Sequence, residues 1–327
     1  MPTALRLATF NLENLDEQKG PKEPALPDRI RILRPQLLRL RADVLCLQEV
    51  NGQERPGQPR ALLALAELLQ GTPYQGYHLV TTQTQAGPPY DVRNLVVLSR
   101  FPVAERRQLK NSMGAPSYQK VTAVPAETVA RPVEWERPIL YARLDVGGGR
   151  ALHVIDLHLK SKLPTEIPGQ KADRFTWKSP RGWAEGSFLS SMKRVGQALE
   201  VRLLVDEIFE AEPEAWIAVA GDFNAESGEV AAVAIRGPVE ETGNPAHAPR
   251  VLVPCENTIP ESSRYSLFHL GRGLMLDHVF VSRSLAAFYR GAEIHNEVLP
   301  DESGAFRTDI QFPESDHAPV VAEFSLP

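Results

Sequence analysis

Polar side chains recur at one kind of place in this sequence, beside the end of an apolar segment that has the pattern of a β-strand. They are Asn11, Glu49, His158, Asp222 with Asn224, Asp277 with His278, and Asp316 with His317. A single polar residue after a strand usually caps a helix or forms a turn. Several in one chain indicate more, because ligands of α/β proteins bind where strands end. The sequence therefore predicts an α/β fold in which these segments converge on one point.

The segments between these polar residues alternate between strand and helix patterns. Strands are predicted over 5–10, 43–50, 78–82, 94–99, 120–124, 139–146, 151–159, 215–220, 274–281 and 319–324. Apolar residues at helical spacing predict helices over 30–40, 60–69 and 188–209. No short repeat or low-complexity linker interrupts the sequence. We therefore expect one domain over residues 1–327, with more than one layer of strands.

The composition excludes several classes of protein. With a formal net charge of −5, the 327-residue chain is not a polycation that coats nucleic acid over its whole surface. Two cysteines exclude a disulfide framework and a cysteine-rich zinc site. No apolar stretch approaches the roughly 20 residues that span a bilayer, and the N-terminus lacks the basic and apolar regions of a signal peptide. We expect a cytoplasmic protein without a membrane span, and no protein partner follows from the sequence.

The residue types beside the strand ends suit metal-assisted phosphoryl chemistry. Carboxylate and amide oxygens are hard ligands that match Mg²⁺ or Mn²⁺ better than Zn²⁺. Mg²⁺ takes only one or two carboxylates and keeps several waters, so Glu49 and Asn11 would suffice as ligands. His158 and His317 would then be free to bind a phosphate oxygen or to transfer a proton. An aspartate that accepts from the other imidazole nitrogen would fix the tautomer.

Six short motifs follow one another in order along the chain. They are Thr9-Phe10-Asn11-Leu12, Leu47-Gln48-Glu49-Val50, Leu157-His158-Leu159-Lys160, Gly221-Asp222-Phe223-Asn224, Leu276-Asp277-His278-Val279 and Ser315-Asp316-His317-Ala318-Pro319. Asn94 to Pro102 adds a strand followed by a Ser-Arg-Phe-Pro turn. Together these motifs resemble those of the endonuclease/exonuclease/phosphatase superfamily, the DNase I-like metal-dependent phosphodiesterases and nucleases. The resemblance covers almost the whole chain.

The resemblance implies a fold and a set of roles. The fold would be a four-layered α/β sandwich, in which two facing mixed sheets are flanked by helices. The implied metal residues are Glu49, Asn11 and Asp316, and the implied catalytic residues are His158, Asp222, Asn224, Asp277 and His317. Asp222 would orient or deprotonate the attacking water, and Asp277 would partner His317 at the phosphate. Whether Asp222 or the Asp277–His317 pair is the general base stays open.

The stretch from Lys160 to Arg194 carries a local positive charge. It holds eight basic and three acidic residues, a net charge of +5, so the rest of the chain carries −10. Aromatic residues are interleaved with these charges over 161–186, which we predict as a long loop close to His158. Basic groups follow phosphates and aromatic rings stack on bases; the alternative is a solvated loop whose tryptophans pack onto the body. The candidate substrate-binding residues are Lys160, Lys162, Arg174, Trp177 and Trp183.

Other polar and aromatic residues have ordinary structural interpretations. Glu13 and Asn14 are predicted as turn or surface residues, His153 and His278 as packing residues, and Phe188 and Phe209 as core residues.

Three functions fit these features. The first is a Mg²⁺-dependent nuclease that acts on DNA or RNA by in-line attack of an activated water, which the basic and aromatic loop favours. The second is a phosphatase or phosphodiesterase for a small or lipid phosphoester, such as an inositol phosphate or sphingomyelin. The sequence shows no apolar hairpin for membrane docking, which disfavours lipids. The third, a catalytically inactive binding module, is disfavoured because every motif keeps its polar residue.

Overall fold

Strands and helices alternate along the chain, largely in the order that the sequence patterns predict. The structure, a computed structural model, describes residues 3–18, 20, 23–304 and 312–327. Within these ranges the strands are β1 Thr3–Leu15, β2 Val44–Val50, β3 Gln53–Arg55, β4 Gln58–Ala61, β5 His78–Thr81, β6 Asn94–Ser99, β7 Val103–Leu109, β8 Ser117–Tyr118, β9 Arg131–Pro132, β10 Ile139–Gly147, β11 Arg150–His158, β12 Trp216–Asp222, β13 Leu252–Pro254, β14 Leu267–His269, β15 Arg272–Leu274, β16 Asp277–Ser282, β17 Tyr289–Ile294 and β18 Val320–Leu326. The helices are α1 Leu26–Leu40, α2 Leu63–Leu69, α3 Pro180–Ala211, α4 Val230–Arg236, α5 Val239–Thr242 and α6 Arg283–Ala286.

Most of the longer strands belong to two sheets built on the same plan. The first sheet has the order β17-β18-β1-β2-β6-β5, and the second sheet has the order β13-β16-β12-β11-β10-β7. Each sheet has a parallel pair at its centre, β1 with β2 in the first and β11 with β12 in the second. All other neighbours within these sheets are antiparallel. Both sheets are therefore mixed.

The two sheets face each other across an apolar layer, and helices cover their outer faces. The inner layer combines Leu7 and Val44 of the first sheet with Val154 and Ala218 of the second. Helices α1 and α2 pack on the outer face of the first sheet, and α3 and α4 pack on the outer face of the second. The predicted four-layered α/β sandwich is confirmed.

The inner faces of both sheets change from apolar to polar at one end of the sandwich. Side chains two residues apart lie on the same face of a strand. On β11, the apolar Val154 is therefore followed on the inner face by Asp156 and then by His158. The same change occurs from Leu7 to Asn11 on β1 and from Ala220 to Asp222 on β12. This polar end of the inter-sheet layer is where the candidate residues gather.

Two sequence predictions fail in the region around α3. Residues 120–124 form turns and not a strand. The predicted loop over 161–186 ends at Ser179, because α3 begins at Pro180 with the Ser179 hydroxyl accepting from the Gly182 amide. The glycines that suggested a loop are needed for close packing. A Cβ at Gly182 would lie 2.6 Å from the Gln170 side chain.

Two aromatic residues of α3 differ in burial. Phe209 is buried as predicted, but Phe188 is 49% exposed and contacts the Tyr118 ring, so its assignment to the core is wrong. Among the described helices, none is long and apolar enough to cross a membrane.

Candidate active site

Asp222 lies at the centre of the polar end of the sandwich. The strand register pairs it with His158 of β11 on one side and with Asp277 of β16 on the other. The preceding residue, Gly221, has a φ of +141°, and a Cβ there would lie 2.0 Å from the Leu157 carbonyl oxygen. Only glycine permits this close approach, so Gly221 lets β12 bring Asp222 directly beside His158.

Four side chains surround the Asp222 carboxylate. Its Oδ2 accepts from Asn11 Nδ2 at 3.1 Å and from Asn224 Nδ2 at 3.0 Å. His158 Nε2 lies 3.2 Å from the same oxygen, and His317 Nε2 lies 3.9 Å away. Burial alone would raise the pKa of Asp222, but the two histidines and the Asn224 amide lower it below its ordinary value. Asp222 is therefore held as a carboxylate.

Asp277 orients the His317 ring through a short contact to its Nδ1 atom. Its Oδ2 lies 2.6 Å from His317 Nδ1, so the other ring nitrogen faces Asp222. The backbone of this pair is fixed by two buried serines: Ser266 accepts from the Asp277 amide at 3.0 Å, and Ser315 accepts from the His317 amide at 3.1 Å. Burial disfavours charge on His317, but Asp277 and Asp222 outweigh it and hold the pKa of His317 well above its ordinary value.

Glu49 extends the same polar chain to the first sheet. Its φ of +57° turns the end of β2, a conformation that is uncommon for residues other than glycine. Its Oε2 accepts from the Asn14 amide at 3.0 Å, and its Oε1 lies 3.6 Å from His158 Nε2. Contacts of 3.2 to 3.9 Å therefore join Glu49 to His317 through His158 and Asp222.

We call Glu13, Glu49 and Asp316 the acidic half of the site. The Asp316 amide donates to Glu13 Oε2 at 3.1 Å. Burial and repulsion from Asp316 raise the pKa of Glu13 well above its ordinary value. Burial, together with repulsion from Glu49, raises the pKa of Asp316 to about 6. Glu13, which the sequence predicts as a turn or surface residue, thus contacts a residue of the candidate site. Its place beside the Asn11 motif is a sequence signal for this position.

Arg29 of α1 braces this acidic half. The side chain is buried, and its guanidinium donates to the carbonyl oxygens of Leu12, Glu13 and Pro313 at 2.7 to 3.2 Å. It thereby ties the end of β1 to the segment that carries Asp316. Nothing in the helical pattern of α1 distinguishes Arg29 from a surface arginine, so its role is not predictable from the sequence.

We call Arg93, Arg137, Lys160 and Lys193 the cationic half of the site. Arg93 Nε lies 3.9 Å from Glu49 Oε1. Arg137 lies two residues before β10 and donates to the carbonyl oxygens of His158 and Leu159 at 3.3 Å each. Arg137 is not among the residues predicted from the sequence, because its contacts are with backbone carbonyl oxygens at the end of another strand.

The acidic half fits a divalent cation by the chemistry of its donors. Besides burial, repulsion from Asp316 and Glu49 raises the pKa of Glu13, and repulsion from Glu49 raises that of Asp316, which is unfavourable unless a cation is shared. Glu49 and Asp316 supply hard oxygen ligands of the kind that Mg²⁺ or Mn²⁺ prefers. The Asn11 amide is already engaged with Asp222 and with the Glu13 amide, so it also positions the groups around the cation.

A second group of donors is better explained by hydrogen bonding. Asp222, Asp277 and His317 each offer one atom within 4.8 Å of the others. The 2.6 Å contact between His317 and Asp277 is a charge-assisted hydrogen bond, and a metal at the same nitrogen would break it. Among the described residues, the acidic half therefore fits a divalent cation better than this second group.

The candidate loop residues lie in different surroundings. The Lys160 amide donates to Gln197 Oε1 at 2.8 Å, directly after β11. Lys162 pairs with Glu229 at 2.6 Å, and the Arg174 guanidinium lies over the Phe175 ring. Trp177 packs against a small apolar cluster beneath the loop, whereas Trp183 is 52% exposed in the first turns of α3. The structure thus places Lys160 at the site and leaves Trp183 on the surface.

The sequence matches the model of the endonuclease/exonuclease/phosphatase family over residues 8–317. The chain therefore belongs to this family and is a phosphoester hydrolase. The match spans all six motifs that carry the candidate site, apart from the last residues of the final motif.

Solved structures of similar fold cover nearly the whole chain. A family protein from Bacteroides thetaiotaomicron is 16% identical with a TM-score of 0.59, covering 100% of this chain and 96% of its own. Truncated TDP2 from Caenorhabditis elegans is 15% identical with a TM-score of 0.55, covering 98% of both chains. The 3′ phosphatase NExo from Neisseria, bound to a product DNA hairpin, is 17% identical with a TM-score of 0.53, covering 98% of this chain and 99% of its own. No curated protein matches the sequence.

Proposed function

We propose that this chain is a Mg²⁺-dependent nuclease, which hydrolyses phosphodiester bonds of DNA by in-line attack of water. The observation that carries the proposal is the convergence of Glu49, His158, Asp222 and His317 from four separate segments, joined by contacts of 3.2 to 3.9 Å. RNA is a further polynucleotide substrate for the same chemistry, and Mn²⁺ is the alternative cation.

The charge states of the buried groups define their roles at neutral pH. Asp222 is ionised, so it accepts a hydrogen bond from the attacking water and orients it. His317 carries a positive charge, so its Nε2 donates to a phosphate oxygen on which charge develops. His158, whose pKa is lowered by burial and by Arg137, is a neutral donor to the same phosphate. Asn224 positions the Asp222 carboxylate, because its side-chain amide donates to Asp222 and to the Leu159 carbonyl oxygen.

A divalent cation held by Glu49 and Asp316, next to Asn11, would polarise the phosphate and stabilise the negative charge of the reaction. Hydrogen bonds within the protein position both of the residues that would hold it. Glu49 accepts from the Asn14 amide, and the Asp316 backbone is bonded to Glu13.

The choice of a polynucleotide rests on the charge of the surface around the site. Arg93, Arg137 and Lys193 act on Lys160, two residues after His158, and the basic stretch that follows carries the exposed Trp183. NExo is described with a DNA hairpin, which supports a nucleic-acid substrate for this fold.

The second candidate is a phosphatase or phosphodiesterase for a small or lipid phosphoester. It is favoured by Trp177, which packs under its own loop and presents less surface to a polymer.

A substrate panel tests both candidates. The purified protein is incubated with Mg²⁺, Mn²⁺, Ca²⁺ or EDTA and plasmid DNA, single-stranded DNA, RNA, bis-p-nitrophenyl phosphate, an inositol phosphate or sphingomyelin vesicles. The proposal predicts metal-dependent cleavage of polynucleotides that His317→Ala abolishes. Turnover of only the small or lipid esters would select the second candidate, and full activity in EDTA would contradict the metal assignment.

A further inference from the structure

Arg137 is a buried cation that faces the carboxylates of Glu49, Asp222 and Glu136 but is in direct contact with none of them. Its side chain is 6% exposed, and its guanidinium donates to the described residues only through Nη1, over 3.3 Å, to the His158 and Leu159 carbonyl oxygens. Among the carboxylates that the structure describes, none lies within 4.0 Å of the guanidinium. A buried arginine is normally paired, because removing its charge from water is unfavourable. Arg137 therefore has donors left for an anion that is part of the substrate.

Gln197 of α3 holds Arg137 and Lys160 side by side. Its buried side chain accepts from the Lys160 amide at 2.8 Å and donates to the Arg137 carbonyl oxygen at 3.2 Å. Arg194 adds bonds to the carbonyl oxygens of Lys160 and Ser161 at 3.1 Å. Gln197 thus holds the backbone of both residues and makes no hydrogen bond to their charged groups.

The other members of the cationic half are partly neutralised. Lys193 pairs with Glu136 at 3.0 Å, and Arg93 lies 3.9 Å from Glu49. Within the described chain, the Lys160 ammonium donates only to the Ser161 hydroxyl, at 3.3 Å. Arg137 and Lys160 are therefore the two cations of this half whose charges are least neutralised by direct carboxylate contacts.

We propose that Arg137 and Lys160 bind a second phosphate group of the substrate, one that flanks the scissile phosphate. The inference rests on the proposed function, because Arg137 lies against the backbone of His158, which is assigned to the scissile phosphate. A guanidinium beside an ammonium suits a phosphate oxygen pair. The site thus selects phosphodiesters within a nucleotide chain over isolated esters.

The test compares thymidine dinucleotides that differ only in a terminal phosphate. The dinucleotide without terminal phosphates is compared with its 5′-phosphorylated and 3′-phosphorylated forms, in saturating Mg²⁺. The proposal predicts that one of the two added phosphates raises kcat/KM about tenfold, mainly through KM. Equal kcat/KM values for all three dinucleotides would overturn it.

Arg137→Gln and Lys160→Gln should each remove most of the gain from the added phosphate, while Arg106→Gln, an exposed arginine of β7, should keep it. Lys160→Gln preserves the backbone bond to Gln197, so it keeps the test informative if Arg137→Gln does not fold. If both variants slow the three dinucleotides by the same factor, the two residues do not recognise a flanking phosphate and the inference fails.

A binding measurement separates this inference from the proposed function. Calorimetry compares thymidine 3′,5′-bisphosphate with each thymidine monophosphate, on the wild type and on Lys160→Gln. Tighter binding of the bisphosphate, lost in the variant, supports the second-phosphate site even if no dinucleotide is cleaved, an outcome that would overturn only the nuclease proposal. Equal binding of the three ligands, together with active cleavage, would overturn only the second-phosphate site.

Discussion

The acidic and cationic halves of the site face the same chain of polar side chains, but the fold builds them differently. Glu13 and Glu49 end the parallel pair of the first sheet at φ values of +45° and +57°. Arg137 and Lys160 flank β10 and β11 of the second sheet in ordinary conformations and are held by Gln197 of α3. The carboxylates of the acidic half thus lie at the ends of the first sheet, whereas Arg137 and Lys160 lie beside strands of the second. The difference shows how two facing sheets can present a cation site and a phosphate site to one substrate.

The largest effect is expected where the two halves meet, at Asp222. Asp222→Asn keeps the size of the side chain but removes the charge that lies against both histidines and that we propose orients the attacking water. We expect turnover of bis-p-nitrophenyl phosphate to fall by about a thousandfold, measured as kcat at saturating Mg²⁺.

The matched control is Asp145→Asn, an exposed residue at the opposite end of β10, which should leave kcat unchanged. Near-full activity of a folded Asp222→Asn variant would show that the polar chain is not the catalytic centre.

Removing one carboxylate from the acidic half should distinguish this half from the cationic half most clearly, through its effect on Mg²⁺ affinity. Glu49→Gln removes a proposed ligand, so we expect Mg²⁺ affinity to fall by roughly a hundredfold, the upper end of what removing supporting groups around a metal costs. Lys160→Gln should change Mg²⁺ affinity by less than about threefold, because the charges that act most on its ammonium are Glu136 and the other members of the cationic half. Calorimetric titration of the two variants measures both values, and equal losses would contradict the division.

The two histidines that contact Asp222 should differ in charge. Burial and Arg137 lower the pKa of His158, whereas Asp277 and Asp222 raise that of His317 despite its burial. We expect NMR of the metal-free protein at about pH 6.5, the ordinary histidine pKa, to show His317 charged and His158 neutral. The same charge on both rings would contradict the assigned roles.

The raised pKa of His317 also predicts how stability depends on pH. Because the folded pKa lies above the unfolded value of about 6.5, the contribution of the pair with Asp277 is fully present below that pH. It is lost as the pH rises through the folded pKa. The difference in unfolding free energy between wild type and Asp277→Asn, about 2 kcal/mol just below pH 6.5, should therefore narrow at higher pH. A difference that does not change with pH would argue against a charged pair.

The smallest effect is expected at the exposed ring of Trp183. Trp183→Ala should weaken binding of single-stranded DNA about fivefold through loss of stacking, without lowering the free energy of unfolding. Leu203→Ala is a matched control, since Leu203 is 50% exposed farther along α3. Equal effects of the two substitutions on DNA binding, measured by fluorescence anisotropy at fixed salt, would remove Trp183 from the substrate surface.

The layered fold and the central polar chain could be predicted because local signals agree with them. Apolar alternation marks the strands, and polar residues break it at Asn11, Glu49 and Asp222. Arg29 and Arg137 could not be found this way, because each acts through tertiary contacts with backbone carbonyls far away in sequence. The start of α3 was missed for a related reason: Gly182 reads as a loop residue but is required by its packing against Gln170.

The position of the divalent cation is the most direct test of the account, and paramagnetic Mn²⁺ reports it without relying on turnover. Histidine ring signals are followed by NMR as Mn²⁺ is added to the protein and then removed with EDTA. His158 and His317 should broaden first, while His78 and His247, which lie away from the polar end of the sandwich, should stay sharp. Broadening of His78 or His247 before His158 and His317 would contradict a metal site in the acidic half.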